Sequence, residues 1–275
     1  MALKDIMMIV DPGAEGVHID EYTLSIAQRS GAHVTAVGYA AQIIAPVSFV
    51  GDYPYDLMIQ AVEEARDAAE KAYARLQGAA PAGVATEFRL LEGLTGEIQG
   101  AIGRAARNFD LTIVRQSPPE EAEFSYEAML SVLFSSGRPA LVVPYIHKGP
   151  AKLDKALVAW DGGMVAARAI AGAMPLLEQS KSVEVVTIAR SEAEQNELPA
   201  FDITHHLARH GVKAELKQLS PGDDNASVLL SHAADMGADY MVMGCYGHSR
   251  LREFVVGGTT RTILGSMTLP VLMAH

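Results

Sequence analysis

Cysteine is nearly absent. The 275-residue chain holds one, Cys245, which excludes an internal disulfide and any metal cluster built on thiolates. Runs of lysine or arginine are missing too. With 22 basic against 33 acidic residues the formal charge is -11, so there is no footprint for a nucleic acid and none is expected as a partner. No apolar stretch approaches the length of a membrane span, and the first six residues, Met-Ala-Leu-Lys-Asp-Ile, run straight into an apolar segment. No signal peptide and no membrane partner are expected, and the sequence reads as cytoplasmic. A nucleophile with an adjacent base, a carboxylate pair spaced for acid–base work and the Gly-Lys-Ser/Thr of a P-loop are likewise lacking. These absences speak against fast catalysis, phosphoryl transfer included.

What the chain does contain is a repeat. An apolar run ending in Asp, from Lys4 to Asp11, returns from Asp154 to Asp161. Amphipathic stretches follow in both copies, Glu21 to Arg29 and Val165 to Leu177, then apolar runs His33 to Tyr39 and Ser182 to Ile188. Further pairs are Thr86 to Leu90 with Glu215 to Leu219, and the helical stretches 96–107 and 226–236. The fourth runs both begin with Asp, at Asp110 and Asp239, and the last runs both follow a proline, Pro139 and Pro270. Short Val/Ile/Leu-rich runs alternating with helical segments predict parallel sheets covered on both faces. Two domains are expected, 1–147 and 152–275, joined at the polar break around Gly149 and Pro150. If the last strands pair with each other, the two halves form a pseudo-dimer within one chain.

The second half carries the chemistry. The apolar run Tyr240 to Met243 leads into Gly244 and Gly247, and ten positions later come Gly257, Gly258, Thr259 and Thr260 at the start of a helical stretch. Glycines let a backbone turn and approach a ligand without a Cβ in the way, and a helix start adds unpaired N–H groups and a positive dipole end. These are parts that hold phosphate. Glycines also mark plain turns, so binding and turning are both open from the spacing alone.

The spacing G-x2-G-x9-G after an apolar strand, with the repeat around it, resembles the ATP-binding signature of the universal stress protein family in its two-domain form. The resemblance implies an α/β fold of two tandem doubly wound parallel five-stranded sheets, packed as a pseudo-dimer. It also implies an adenine nucleotide, ATP with or without Mg2+, held by the second domain. Carried over position by position, Asp161 matches the acid near the base and Thr187 and Ile188 the segment along the adenine edge. Met243, Gly244, Gly247, Gly257, Gly258, Thr259 and Thr260 match the ribose and phosphate loop. Gly258 stands where many ATP-binding members have a hydroxyl, which Thr259 or Thr260 would have to supply. The implied role is regulatory: an ATP-binding stress-response protein read by a protein partner, with a further homodimer open. A slow ATPase and a scaffold without nucleotide are the alternatives.

The first half departs from this pattern. Aligning Val114 with Met243 and Pro139 with Pro270 sets Arg115 against Gly244, Pro118 against Gly247, and Tyr126 and Glu127 against Gly257 and Gly258. Proline lacks an N–H and the carboxylates that follow repel an anion, so this half is expected to hold no phosphate. Arg115 is expected either to pair with Glu120, Glu121 or Glu123, or to reach the nucleotide of the other half. The first half is also longer, with Pro46, Phe49, Tyr53, Pro54 and Tyr55 inserted before a long helix ending near Gln77, a lid, a docking surface or simply a cover for its own sheet.

Four other features have plainer readings. Of His205, His206 and His210, the last two have a metal-gripping spacing, but no carboxylate or cysteine in the local sequence completes a set, and they suit a helix end. Cys245 reads as a small side chain, Asp11 as a ligand acid or a helix cap, and Trp160 as core.

Overall fold

In the computed structural model the alternating apolar and amphipathic runs become ten strands and eight helices among the described residues, which are 2–13, 16–42, 55–117, 123–189, 202–222, 224–247 and 258–275. The first half forms β1 (Asp5–Ile9), α1 (Gly16–Ser30), β2 (His33–Gln42), α2 (Tyr55–Ala79), β3 (Thr86–Leu94), α3 (Thr95–Ala105) with a 3-10 turn at Ala106–Asn108, β4 (Leu111–Arg115), α4 (Glu123–Ser135) and β5 (Ala140–Val143). The second half forms β6 (Lys155–Ala159), α5 (Met164–Leu177), β7 (Ser182–Ile188), α6 (Ile203–Arg209), β8 (Ala214–Leu219), α7 (Asn225–Met236), β9 (Tyr240–Gly244), α8 (Thr259–Ser266) and β10 (Val271–Ala274).

The residues group into two units, Leu3–Arg138 with Lys148–Pro150, and Pro139–His147 with Ala151–His275. Within the first, the strands lie side by side in the order β3, β2, β1, β4, all parallel. Within the second the order is β5, β10, β9, β6, β7, β8. Every neighbour there is parallel except β5, which runs antiparallel to β10 with Val142 opposite Val271 and Leu141 opposite Leu272. The fifth strand of the first half therefore belongs to the unit built by the second half, because its partner is the last strand of the chain.

The central strands are apolar without alternation because both of their faces are covered. Ile6, Met7 and Met8 of β1, Ala156, Leu157 and Val158 of β6, and Tyr240, Met241 and Val242 of β9 are all wholly buried. Each Ile, Leu, Met or Val among them contributes about 1.5–3 kcal/mol through its removal from water.

The repeat is visible in polar contacts as well as in pattern. The Asp that opens the fourth strand of each half ties down the start of the first strand. Asp110 Oδ2 accepts from the N–H groups of Lys4 at 2.9 Å and Asp5 at 3.1 Å, and Asp239 Oδ2 accepts from the N–H of Lys155 at 2.9 Å.

The long α2 is particular to the first half. It lies tight on β2, where a Cβ on Gly38 would sit 2.8 Å from that of Ala69, and its Ala69, Ala72 and Leu76 are buried. Its opening turns leave Leu57 and Ile59 exposed. Of the aromatic insertion, Pro46, Phe49, Tyr53 and Pro54 lie outside the described residues.

Candidate functional site

Doubly wound sheets take ligands beyond the carboxyl ends of their strands, where the strand order reverses. In the second unit that reversal falls between β6 and β9. Asp161, just past β6, is exposed, and its Oδ1 accepts the N–H of Gly163 at 2.7 Å. Gly163 is also the N-cap of α5, with no side chain capping it. Thr187 and Ile188 end β7, half-buried, opposite Gln218 and Leu219. Met243 is buried opposite Met273.

The loop after β9 lies on the start of α5. A Cβ on Gly244 would stand 2.5 Å from the amide nitrogen of Ala166, and one on Gly247 would stand 2.7 Å from Cγ2 of Val165. The sequence suggested that these glycines turn the chain, but neither has a positive φ. The left-handed residue is Tyr246, at φ 51°. Its N–H donates to Thr260 Oγ1 at 3.2 Å, and Thr260 is buried, so that hydroxyl staples the loop to the first turn of α8. Thr259, beside it in the first turn of α8, is half-buried. Gly258 is the N-cap of α8 and, like Gly163, it brings no side-chain cap. Gly257 lies outside the described residues.

Elsewhere in the unit the caps are filled. Asp202 accepts from the N–H of Thr204 at 2.8 Å at the head of α6, and Asp224 accepts from Ala226 and Ser227 at 3.2 and 3.0 Å at the head of α7. Hydrogen bonds from Thr204 and Ser227 hold these two carboxyls below their ordinary range. Two uncapped glycine starts thus meet one glycine loop, while the helices away from the loop are closed by carboxylates. The arrangement can present backbone N–H groups to an anion.

The first unit handles the same place differently. Strand register confirms the pairing of positions, since Met8 faces Ile113 in one unit and Val158 faces Val242 in the other. Asp11 Oδ1 accepts the N–H of Gly13 at 2.8 Å, the same turn that Asp161 makes. Its Oδ2, however, accepts from Nη1 of Arg115 at 2.6 Å, and both side chains are about 15% exposed or less. Arg115 thus has a partner that neither expectation named, Asp11 of its own unit. The acids named as expected partners, Glu120 and Glu121 and the side chain of Glu123, lie outside what the structure describes.

A second arginine completes the network, and sequence reasoning missed it. Arg75 of α2 donates through Nε to the buried Asp20 of α1 at 2.6 Å and through Nη2 to the backbone oxygen of Asp11 at 2.9 Å. Burial pushes the Asp20 carboxyl above its ordinary range, against the pull of Arg75. A Cβ on Gly16 would lie 2.4 Å from that guanidinium, which explains a glycine in the first turn of α1. What remains between the strand ends is a cavity of about 50 Å³ lined by Asp11, Tyr39, Arg115, Gln116 and Ser117. Such a volume has room for a few waters.

Cys245 is wholly buried and its N–H donates to the Ala274 oxygen at 2.9 Å. Trp160 is half-buried rather than core. The rings of His206 and His210 stand 4.8 Å apart, and among the described residues no group of three or more metal-ligating side chains occurs. Nor is any described helix long and apolar enough to cross a membrane.

Residues 152–275 match the sequence profile of the universal stress protein family. Universal stress protein Slr1230 of Synechocystis is 27% identical over 148 residues, a stretch covering 52% of this chain and 49% of that protein, so the match spans about half the length of this relative. Among solved structures, a universal stress protein from Archaeoglobus fulgidus has a TM-score of 0.71 at 15% identity, covering 98% of this chain and 95% of its own. A protein of unknown function from Pseudomonas aeruginosa PAO1 has a TM-score of 0.60, also at 15% identity, over 99% and 92% of the two chains. These structural likenesses concern the fold.

Proposed function

From the match of residues 152–275 to the universal stress protein family we propose that the chain is a member of that family and a regulatory protein binding one ATP per chain in its second half. The observation that carries the reading is the loop Gly244 to Gly247, set against the start of α5 and stapled to the start of α8, both helices opening on uncapped glycines. The phosphates sit on these helix starts, and Thr259 supplies the hydroxyl that Gly258 lacks. Asp161, exposed and held by Gly163, takes the base end together with the backbone of Thr187 and Ile188. Gly257 completes the phosphate loop, and Mg2+ accompanies the nucleotide as a counter-ion. In the first half the pairing of Arg115 with Asp11 occupies the equivalent position, so that half takes no ATP.

Among the described residues no side chain of the site pairs a nucleophile with a base; on this reading occupancy is the signal and hydrolysis is at most slow. A protein partner that prefers the bound form must tighten ATP binding by the factor by which ATP tightens its own. A scaffold without nucleotide is the second reading, favoured by one observation: packing against Ala166 accounts for Gly244 without any ligand.

Heating purified protein and analysing the released small molecules, followed by titration calorimetry, separates the two. One equivalent of ATP per chain supports the proposal. Two equal sites reject the asymmetry between halves, and no binding leaves the scaffold.

A further inference from the structure

The first half has a feature that nucleotide binding does not use. Asp11 lies just past the central strand β1 at the reversal of strand order, is almost withdrawn from solvent, and commits its Oδ1 to its own turn. Its Oδ2 is aimed at the cavity wall, where the planar guanidinium of Arg115 meets it at 2.6 Å. Ser117 Oγ, on the same cavity, is buried and has no hydrogen-bond partner among the described residues. Among the described residues, the other cation facing Asp11 from a neighbouring element is Arg75, which is committed to Asp20, a carboxylate only 2% exposed. Leaving Asp20 would strand a buried charge, so Arg75 is not free to replace Arg115.

We propose that the place between the ends of β1 and β4 is a guanidinium-binding site that the chain fills with its own Arg115. Asp11 is the anionic end of the site, the cavity beside Tyr39 and Gln116 is its volume, and the ligand class is a small planar organic cation. Fork-like geometry matters here, since a guanidinium presents its N–H groups in one plane while an ammonium is a point charge. The proposal stands or falls independently of whether the second half binds ATP.

The test is chemical rescue in the full chain. Arg115→Gly removes the tethered cation and leaves Asp11 buried without its ion partner, so the melting temperature of the first half falls. Adding methylguanidinium chloride, far below denaturing concentration, should raise that melting temperature in a saturable manner, leave the wild type unchanged, and exceed the effect of equal methylammonium chloride. Asp11→Asn combined with Arg115→Gly is the control: it removes the stranded charge, so it folds, and it should not respond to methylguanidinium. Should Arg115→Gly alone fail to fold, the yield of refolding with and without methylguanidinium is read instead, and only recovery with the cation supports the site. A response absent in Arg115→Gly, equal in the double variant, or matched by methylammonium overturns the proposal and leaves an ordinary ion pair.

Discussion

Gly244 and Gly247 stand three residues apart in one loop yet answer to different neighbours. A Cβ at 244 would run into backbone, the Ala166 nitrogen and the Val165 carbonyl carbon, whereas at 247 it would meet only the tip of the Val165 side chain. Gly244→Ala should therefore destabilise the second unit by about 1–3 kcal/mol, the range for forcing extra volume into a packed site. Gly247→Ala should lose under about 1 kcal/mol, since a side-chain tip can turn away, yet weaken ATP at least about tenfold, or roughly 1.4 kcal/mol. Urea denaturation and calorimetry on both variants check this; equal stability losses would show that the loop does not rest on α5 as described. The glycines were legible in the sequence, but their reason was not, because spacing does not reveal which helix passes beneath a loop. The Asp11 contact of Arg115 was hidden on similar grounds. Nearness along the chain favoured the acids that follow it, while parallel strands bring Asp11, 104 positions away, alongside.

At the scale of single elements, two carboxylates respond to acid in opposite ways. Asp224 caps α7, and the hydrogen bond from Ser227 holds its carboxyl low. A carboxyl lowered on folding stabilises above its ordinary titration range, and that contribution is lost as pH falls. Asp224→Ala should cost about 1 kcal/mol near neutral pH, and the difference from wild type should close in acid. Asp20 lies the other way. Burial raises it, so its contribution is present in acid and is lost as pH rises through its folded value. Arg75→Ala removes the group that opposes this rise and should destabilise the first unit by about 3 kcal/mol near neutral pH, at the low end for a buried pair because Arg75 itself is partly exposed. Denaturant curves from neutral pH to about pH 3 should show that gap shrinking as Asp20 takes up its proton. Element positions were largely readable. The run Ser182 to Ile188 is β7 as it stands, and Val165 to Leu177 is α5 less one residue, since continuous apolar runs and amphipathic periods mark their own limits. Helix α1, read from Glu21, begins at Gly16, and among the strands the ends that drifted furthest were β2 and β3, each extended where they pair with one another from Val34 and Thr86 to Gln42 and Leu94, a length set by the partner strand rather than by either sequence.

For the whole molecule the informative strand is β5. All four of its residues, Ala140, Leu141, Val142 and Val143, are buried, and its partner β10 comes from the far end of the chain. The sequence marked both as apolar runs behind a proline, and the expectation that they pair follows from what each would be alone, an apolar edge offering a row of unpaired N–H and C=O groups. Severing the chain at the Gly149–Pro150 break tests this directly. A fragment of residues 1–147 carries β5 without β10, and a fragment of residues 151–275 carries β10 without β5. Each alone should self-associate or aggregate through the bared strand, and mixing them under refolding conditions should give a soluble one-to-one complex. A charge placed in the strand, Leu141→Lys, should block that complex, because its position opposite Leu272 is wholly buried and has no counter-charge. Size-exclusion chromatography with light scattering reads every species. If both fragments are soluble monomers that ignore each other, the β5–β10 ladder does not hold the halves of this protein together.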